Sequence, residues 1–280
     1  MNLRILIFAI LTLAISVNGQ IELRGFRNLK VGSSGTNEFT ETMEYWSYSN
    51  SAYSVTNQPI LWMKASAHRF RAVDGDAVSA AQDYSSRGNH IGQATAGKQP
   101  VYKTGSIGGL PTFRFDGGDC LTNPSIAATT HTLFVVMSNS ADGIVIEHSA
   151  DASANSGFYV YTTTTCGQLI NRSATISSRD GSTGWGTTSN LLVRMVNDGT
   201  HANNNGYKNN LDCIIGTCSD SGDPGSGSAT AAINIGGRNN AAGAALTGHI
   251  SELIWYSPKL DDGDAAIVEA ALNAKYGGLY

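Results

Sequence analysis

The sequence predicts an all-β fold: an antiparallel two-sheet sandwich carrying one short C-terminal helix. Three features point there. Apolar residues come in short stretches, either alternating or in runs of a few residues, as half-buried or doubly covered strands require. Turn chemistry separates them, with Asp74-Gly75, Asp116-Gly117, Asp142-Gly143, Asp198-Gly199 and Asn205-Gly206 each offering a left-handed position. A single segment shows helical spacing, and many strands with one helix read as a sandwich.

In chain order, residues 1–19 read as a secretory signal. Arg4 supplies the positive start, and Ile5 to Val17 is apolar apart from Thr12 and Ser16. Val17-Asn18-Gly19 places small residues before a cut at Gln20. The run falls short of the roughly 20 apolar residues a membrane span needs, and no later stretch could span a bilayer. Removal of this segment predicts a secreted, extracellular or cell-surface protein with no membrane span. Residues 20–56 are rich in Ser, Thr, Asn and Tyr and read as a polar N-terminal arm or edge strand. Residues 57–280 form the main domain.

Within that domain, Phe113 and Phe115 alternate with Thr112 and Arg114. Leu133 to Met137 is continuously apolar, suited to a strand covered on both faces. Ile144–Ile146, Phe158–Tyr161, Leu191–Val196, Ile233–Ile235 and Ile250–Tyr256 follow as strands. The loop from Ser219 to Ser228 is too rich in Gly and Ser to pack a core. At the C-terminus, Asp261 or Asp262 can cap a helix, with Asp264 in its first turn. Val268, Leu272 and Tyr276 make its apolar stripe, and Gly277-Gly278 ends it. This helix is expected over one end or edge of the sandwich.

Charge and composition narrow the function. Lys and Arg total 18 against 22 Asp and Glu, a net charge of −4, and charged residues are only 14%. Nucleic-acid binding wants a basic surface, so it is not expected. The four cysteines, Cys120, Cys166, Cys213 and Cys218, lie in a chain read as exported, so disulfides are expected. Of three connectivities, Cys213–Cys218 with Cys120–Cys166 is favoured, because a short Gly/Thr loop can close the first pair. Asn171-Arg172-Ser173 is a glycosylation sequon.

Two sets of blocks carry a family resemblance. The first runs from Pro59-Ile60-Leu61-Trp62 through Gln82-Asp83-Tyr84-Ser85-Ser86-Arg87-Gly88-Asn89-His90 and Gln99-Pro100-Val101-Tyr102 to Gly109-Leu110-Pro111-Thr112-Phe113-Arg114-Phe115-Asp116-Gly117. The second is Ile235-Gly236-Gly237-Arg238, then Leu246 to Tyr256, then the helix. Together they resemble the concanavalin A-like lectin/glucanase superfamily in its laminin-G-like branch. The resemblance implies a jelly-roll sandwich over about residues 57–280, and a fold shared by lectins, adhesion modules and glycanases alike. Within it, Trp62 is expected beside the core, Asp83 to Asn89 as a self-bonded polar turn, and Gly236-Gly237 as a site of close approach.

Catalytic signatures are weak. Gly92-Gln93-Ala94-Thr95-Ala96-Gly97-Lys98 approaches a phosphate-binding loop, but Gln99 and Pro100 replace the hydroxyl residue and the helix it needs. A glucanase needs two convergent acids, whereas Glu252 stands alone and Glu147 and Asp151 would lie about 13 Å apart on one strand. The six histidines, at positions 68, 90, 131, 148, 201 and 249, contain no HExxH pair and read as surface or turn residues. No nucleophile elbow occurs.

Binding signatures are stronger. Tyr159 and Tyr161 alternate on one strand, and Asn171, Asp180 and Trp185 follow in a stretch rich in Thr, Ser and Gly. Sugar recognition pairs aromatic faces with amides and carboxylates, so these five are the ligand candidates. Calcium, which takes six to eight oxygens, has candidates in Asp116 and Asp119, with Asp198 and Asn203–Asn205 beside them. Three functions follow: a non-catalytic module binding glycan or another cell-surface ligand; a structural or adhesive protein, such as a virion appendage, contacting protein partners; and a glycan-degrading enzyme, a hydrolase or lyase.

Overall fold

The computed structural model describes residues 14–17, 20–23, 55, 57–68, 72–123, 126–149, 157–162, 167–172, 176–180, 190–198, 205–209, 211–212, 232–238 and 244–280. The chain divides into two compact units, Met1–Asn50 and Ser51–Tyr280. In the first, β1 (Ala14–Val17) pairs antiparallel with β2 (Gln20–Leu23), so that the pair flanks the expected cleavage position.

The second unit is a β-sandwich. Its strands are β3 (Pro59–Lys64), β4 (Ala80–Ala81), β5 (Ile91–Gly92), β6 (Val101–Ile107), β7 (Leu110–Asp116), β8 (Leu121–Asn123), β9 (His131–Asn139), β10 (Gly143–His148) and β11 (Gly157–Thr162). They continue as β12 (Gly167–Arg172), β13 (Ile176–Asp180), β14 (Leu191–Asn197), β15 (Asn205–Lys208), β16 (Leu211–Asp212), β17 (Ile233–Ile235) and β18 (Thr247–Tyr256), followed by α1 (Asp262–Lys275). One sheet runs β13-β12-β11-β10-β17-β8-β5-β4. The other runs β16-β15-β14-β9-β18-β7-β6, with β3 also on β18. All strand pairings between named strands are antiparallel.

β18 organises the second sheet. Along one side it pairs with β9 throughout; along the other it meets β7 at residues 247–250 and β3 at residues 252–256. A register shift between Ile250 and Glu252 marks the change, and Ser251 there donates its hydroxyl to the Pro111 carbonyl at 2.6 Å. Leu133, Val135 and Met137 of β9 face the core between the sheets, while Phe134 and Val136 face the other way. The apolar run is thus covered on both sides, as its composition predicts.

What covers the outer side is α1, and this corrects the expected placement at an end or edge. Ala265, Val268, Leu272 and Tyr276 pack with Phe134, Val136, Leu192, Ile254 and Tyr256 on the outer face of the sheet. Asp261 caps the helix by accepting the Asp264 amide at 2.8 Å, and Gly277 and Gly278 leave it with φ of +79° and +84°. Trp62 is half-buried in this outer cluster rather than in the main core. Its indole N–H donates to Glu252 at 2.7 Å, and the other Glu252 oxygen accepts from Lys275 Nζ (2.7 Å) and Tyr276 OH (2.9 Å). A second tie joins Arg194 of β14 to Glu269 of α1 at 3.3 Å.

The Asp83 to Asn89 turn holds itself as expected. Asp83 accepts the amides of Trp62, Ser85 and Asn89 and the Ser85 hydroxyl, and the Asn89 amide group donates to the Ile60 carbonyl at 2.7 Å. Gly236 is the expected close approach: a Cβ there would lie 2.2 Å from the Phe115 ring. Two expected turns differ. Gly143 and Gly206 lie within strands, and a Cβ on Gly143 would meet the Leu246 backbone at 2.7 Å, so space rather than turn conformation requires that glycine.

Candidate functional site: a groove at the uncovered end of a sheet

The helix covers only one half of the outer sheet face. Beyond it, the ends of three adjacent strands enclose a groove of ≈380 Å³. The register builds it. Arg114 of β7, His249 of β18 and Ser138 of β9 form one cross-strand row. Phe115, Gly248 and Asn139 form the next, and Asp116 and Thr247 the last pair. Gly248 lets the strands close up, since a Cβ there would stand 2.2 Å from the Ser138 carbonyl oxygen.

The accessible lining of the groove is mostly apolar, with a few polar groups set into it. Arg114 is exposed, and no ion pair or hydrogen bond among the described residues engages its guanidinium. Asp116 is exposed, and its Oδ1 accepts the Gly118 amide at 3.0 Å. Asn139 is 1% exposed; its amide nitrogen donates to the Ala141 carbonyl at 3.4 Å, and its Oδ1 has no hydrogen-bond partner. Ser140 donates its hydroxyl to the Thr247 carbonyl at 3.2 Å. His249 Nδ1 sits 2.9 Å from the Thr112 hydroxyl. Burial, then the positive charges of Arg114 and Lys103, hold this imidazole below its ordinary pKa. The Arg114 guanidinium and the Asp116 carboxylate are the exposed charged groups at its rim.

The proposed calcium pair behaves as a turn lock. Asp119 Oδ2 accepts the Asp116 amide at 3.0 Å, and Asp119 is buried. Burial, with the nearby Asp116 charge adding to it, pushes the Asp119 carboxyl up to about 6. Among the described residues no cluster of three or more His, Cys, Asp or Glu is arranged to hold a metal.

Four of the five ligand candidates fall on the other sheet. Tyr159 and Tyr161 are on β11, Asn171 on β12 and Asp180 on β13, three neighbouring strands. The register sets positions 161, 168 and 180 in one cross-strand row. Position 159 lies in the row of Glu147 and Asn234. Position 171 is opposite Phe158, whose ring is in the core, so it belongs to the alternate parity. Trp185 lies outside the described residues, as do Asp151, Asn203, Asn204 and three of the cysteines, Cys166, Cys213 and Cys218. Cys120 is buried, with its sulfur 3.7 Å from Asn234 Oδ1. Glu147 is fully buried and receives Arg238 Nε and the Ser149 hydroxyl, each at 2.8 Å.

The sequence reading missed the groove. Its walls come from residues 114–116, 138–140 and 247–249, which only strand register brings together. The sole local hint is Arg114, a charged residue at the exposed position of an alternating strand. The histidine reading also needs correction. His131 and His148 are neither surface nor turn residues; both are buried between the sheets.

No family model matches the chain, and no curated protein does. Solved structures do match. Domain 4 of AbnA, an extracellular arabinanase from Geobacillus stearothermophilus solved with arabinotriose, is 14% identical over 77% of this chain and 98% of that one, with a TM-score of 0.52. The binding domain of Paraclostridial Mosquitocidal Protein 1 is 9% identical over 78% of this chain, with a TM-score of 0.53. A structure from work on botulinum neurotoxin type C entry through two ganglioside molecules is 13% identical over 77%, with a TM-score of 0.51. The match spans about half of each of the two latter chains. The fold is a jelly-roll-like β-sandwich. Among the described residues, no helix is long and apolar enough to cross a membrane.

Proposed function

We propose that this protein is a secreted, non-catalytic recognition module that binds carbohydrate or another extracellular surface ligand. The observation that carries the reading is the groove of Arg114, Asp116, Asn139, Thr247 and His249. It presents the exposed Arg114 guanidinium and Asp116 carboxylate, and among the described residues no second carboxylate lines it. Among the described residues, each of the three buried glutamates lies against a basic side chain: Glu147 with Arg238, Glu252 with Lys275 and Glu269 with Arg194. The arabinotriose complex and the structure from work on ganglioside-dependent cell entry lend support, since both share a similar sandwich. The blocks from Pro59 to Gly117 and from Ile235 to Tyr256 fit the laminin-G-like branch of the concanavalin A-like superfamily.

Export follows the signal reading, with the mature chain starting at Gln20; N-terminal sequencing of secreted material checks it. The binding test is a glycan array probed with the wild-type chain and with Arg114→Ala, each with and without chelator. Binding to a defined glycan class, lost in Arg114→Ala, is expected. Silence across diverse glycans under both conditions would contradict the reading. Loss of signal on chelation alone would bring calcium into the site.

A further inference from the structure

Two imidazoles are sealed in the core between the sheets. His131 opens β9 in one sheet and His148 ends β10 in the other, at 1% and 0% exposure. They share two neighbours, Phe158 of β11 and Trp255 of β18. The His131 ring lies 4.2 Å from Phe158 and 5.9 Å from Trp255, between centroids. The His148 ring lies 5.8 Å and 5.2 Å from the same two, which are themselves 5.2 Å apart. Four rings, two from each sheet, therefore form one cluster that bridges the sandwich.

Their polar atoms are poorly served. His131 Nδ1 lies 3.3 Å from the Thr129 carbonyl. Among the described residues, His131 Nε2 and Trp255 Nε1 are buried with no hydrogen-bond partner, and the His148 ring has only the Ile126 backbone beside it. Among the described residues, no carboxylate acts on either imidazole; only the Thr129 and Ile126 backbone favours the charged form. Inward-facing neighbours are Leu133 on β9, Ile146 on β10, Val160 on β11, Ile233 on β17 and Leu253 on β18. Asn197 of β14 pairs with His131 in register. Glu147, next to His148 in sequence, has the opposite strand parity and is held by Arg238 and Ser149. Among the described residues, the one titratable group whose charge bears on His131 is His148. Such a cluster tolerates neutral rings and opposes imidazolium strongly.

We propose that His131 and His148 form an acid-sensitive clasp between the two sheets, closed at neutral pH and opened by proton uptake as the pH falls. The clasp is independent of the groove. Burial holds His131 down to about 3 and His148 down to about 4, against an ordinary 6.5. A base whose folded pKa is depressed binds fewer protons folded than unfolded. Its contribution to stability is full above pH 6.5 and is lost as pH falls below that value. Asp119 acts in the opposite sense, because its folded pKa is raised. His249 adds to the histidine effect through its own lowered value.

The experiment is urea unfolding, followed by tryptophan fluorescence from pH 7.5 to 4.5, on the wild-type chain and on His131→Leu, His148→Leu and the double variant. Near pH 5 the wild type is expected to take up about two more protons on unfolding than the double variant. Equal pH slopes in the two proteins would overturn the clasp. Should the variants fail to fold, proton NMR of the wild-type histidines decides. Two of the six imidazoles staying neutral until the protein unfolds supports the clasp, and all six titrating near 6.5 in the folded state overturns it.

Discussion

The two halves of one sheet face behave differently. Along residues 252–256, β18 lies beneath α1, and its outward side chains are Glu252, Ile254 and Tyr256, enclosed by the helix. Along residues 247–249, the same strand lines an open groove beside Arg114, Asp116 and Ser138. The strands are shared, so the backbone does not make the difference; the helix does. Where α1 lies, polar atoms must be satisfied from within, and Glu252 gathers three donors. Where it stops, polar groups remain available to a ligand.

Substitutions can break each half separately. Glu252→Ala removes the acceptor for Lys275, Tyr276 and Trp62. Breaking one side of a buried ion pair costs about 3 kcal/mol, toward the low end because Lys275 still reaches solvent, and urea unfolding measures it. Leu272→Ala empties the helix–sheet contact and should cost about 2–4 kcal/mol in the same assay. Gly248→Ala forces a methyl against the Ser138 carbonyl, costs about 1–3 kcal/mol and narrows the groove. Arg114→Ala should leave stability within about 0.5 kcal/mol while abolishing ligand binding, which calorimetry on the bound glycan would read.

The turn beside the groove sharpens the comparison through pH. Asp119 titrates near 6 in the folded protein against 3.8 ordinarily. Its stabilising contribution is therefore complete below pH 3.8 and is lost as pH rises through about 6. Asp119→Asn keeps an acceptor for the Asp116 amide but loses this dependence. The difference in stability between the two proteins should change only across that window, with a thermal-melt series in pH as the readout.

Much of the frame was legible in the residues. The β9 run, the β7 alternation, the helix stripe and its Asp261 cap are local patterns, and each forms where composition placed it. The helix position was not legible, because a stripe says that a helix packs but not against which surface. His148 was hidden by a register shift between Ile144 and Ile146. Counting by twos from Ile144, which pairs with Tyr161, would set His148 on the outer face; the shift turns it inward beside Phe158. The groove was hidden because its three walls are far apart in the chain, and one-dimensional patterns carry no strand order.

Backbone amide NMR during titration with a glycan selected on the array tests the central claim most directly. Shifts confined to residues 114–116, 138–140 and 247–249 are predicted, with the helix-covered residues 252–256 unmoved. Shifts centred on β11 to β13, with none around Arg114, would contradict it.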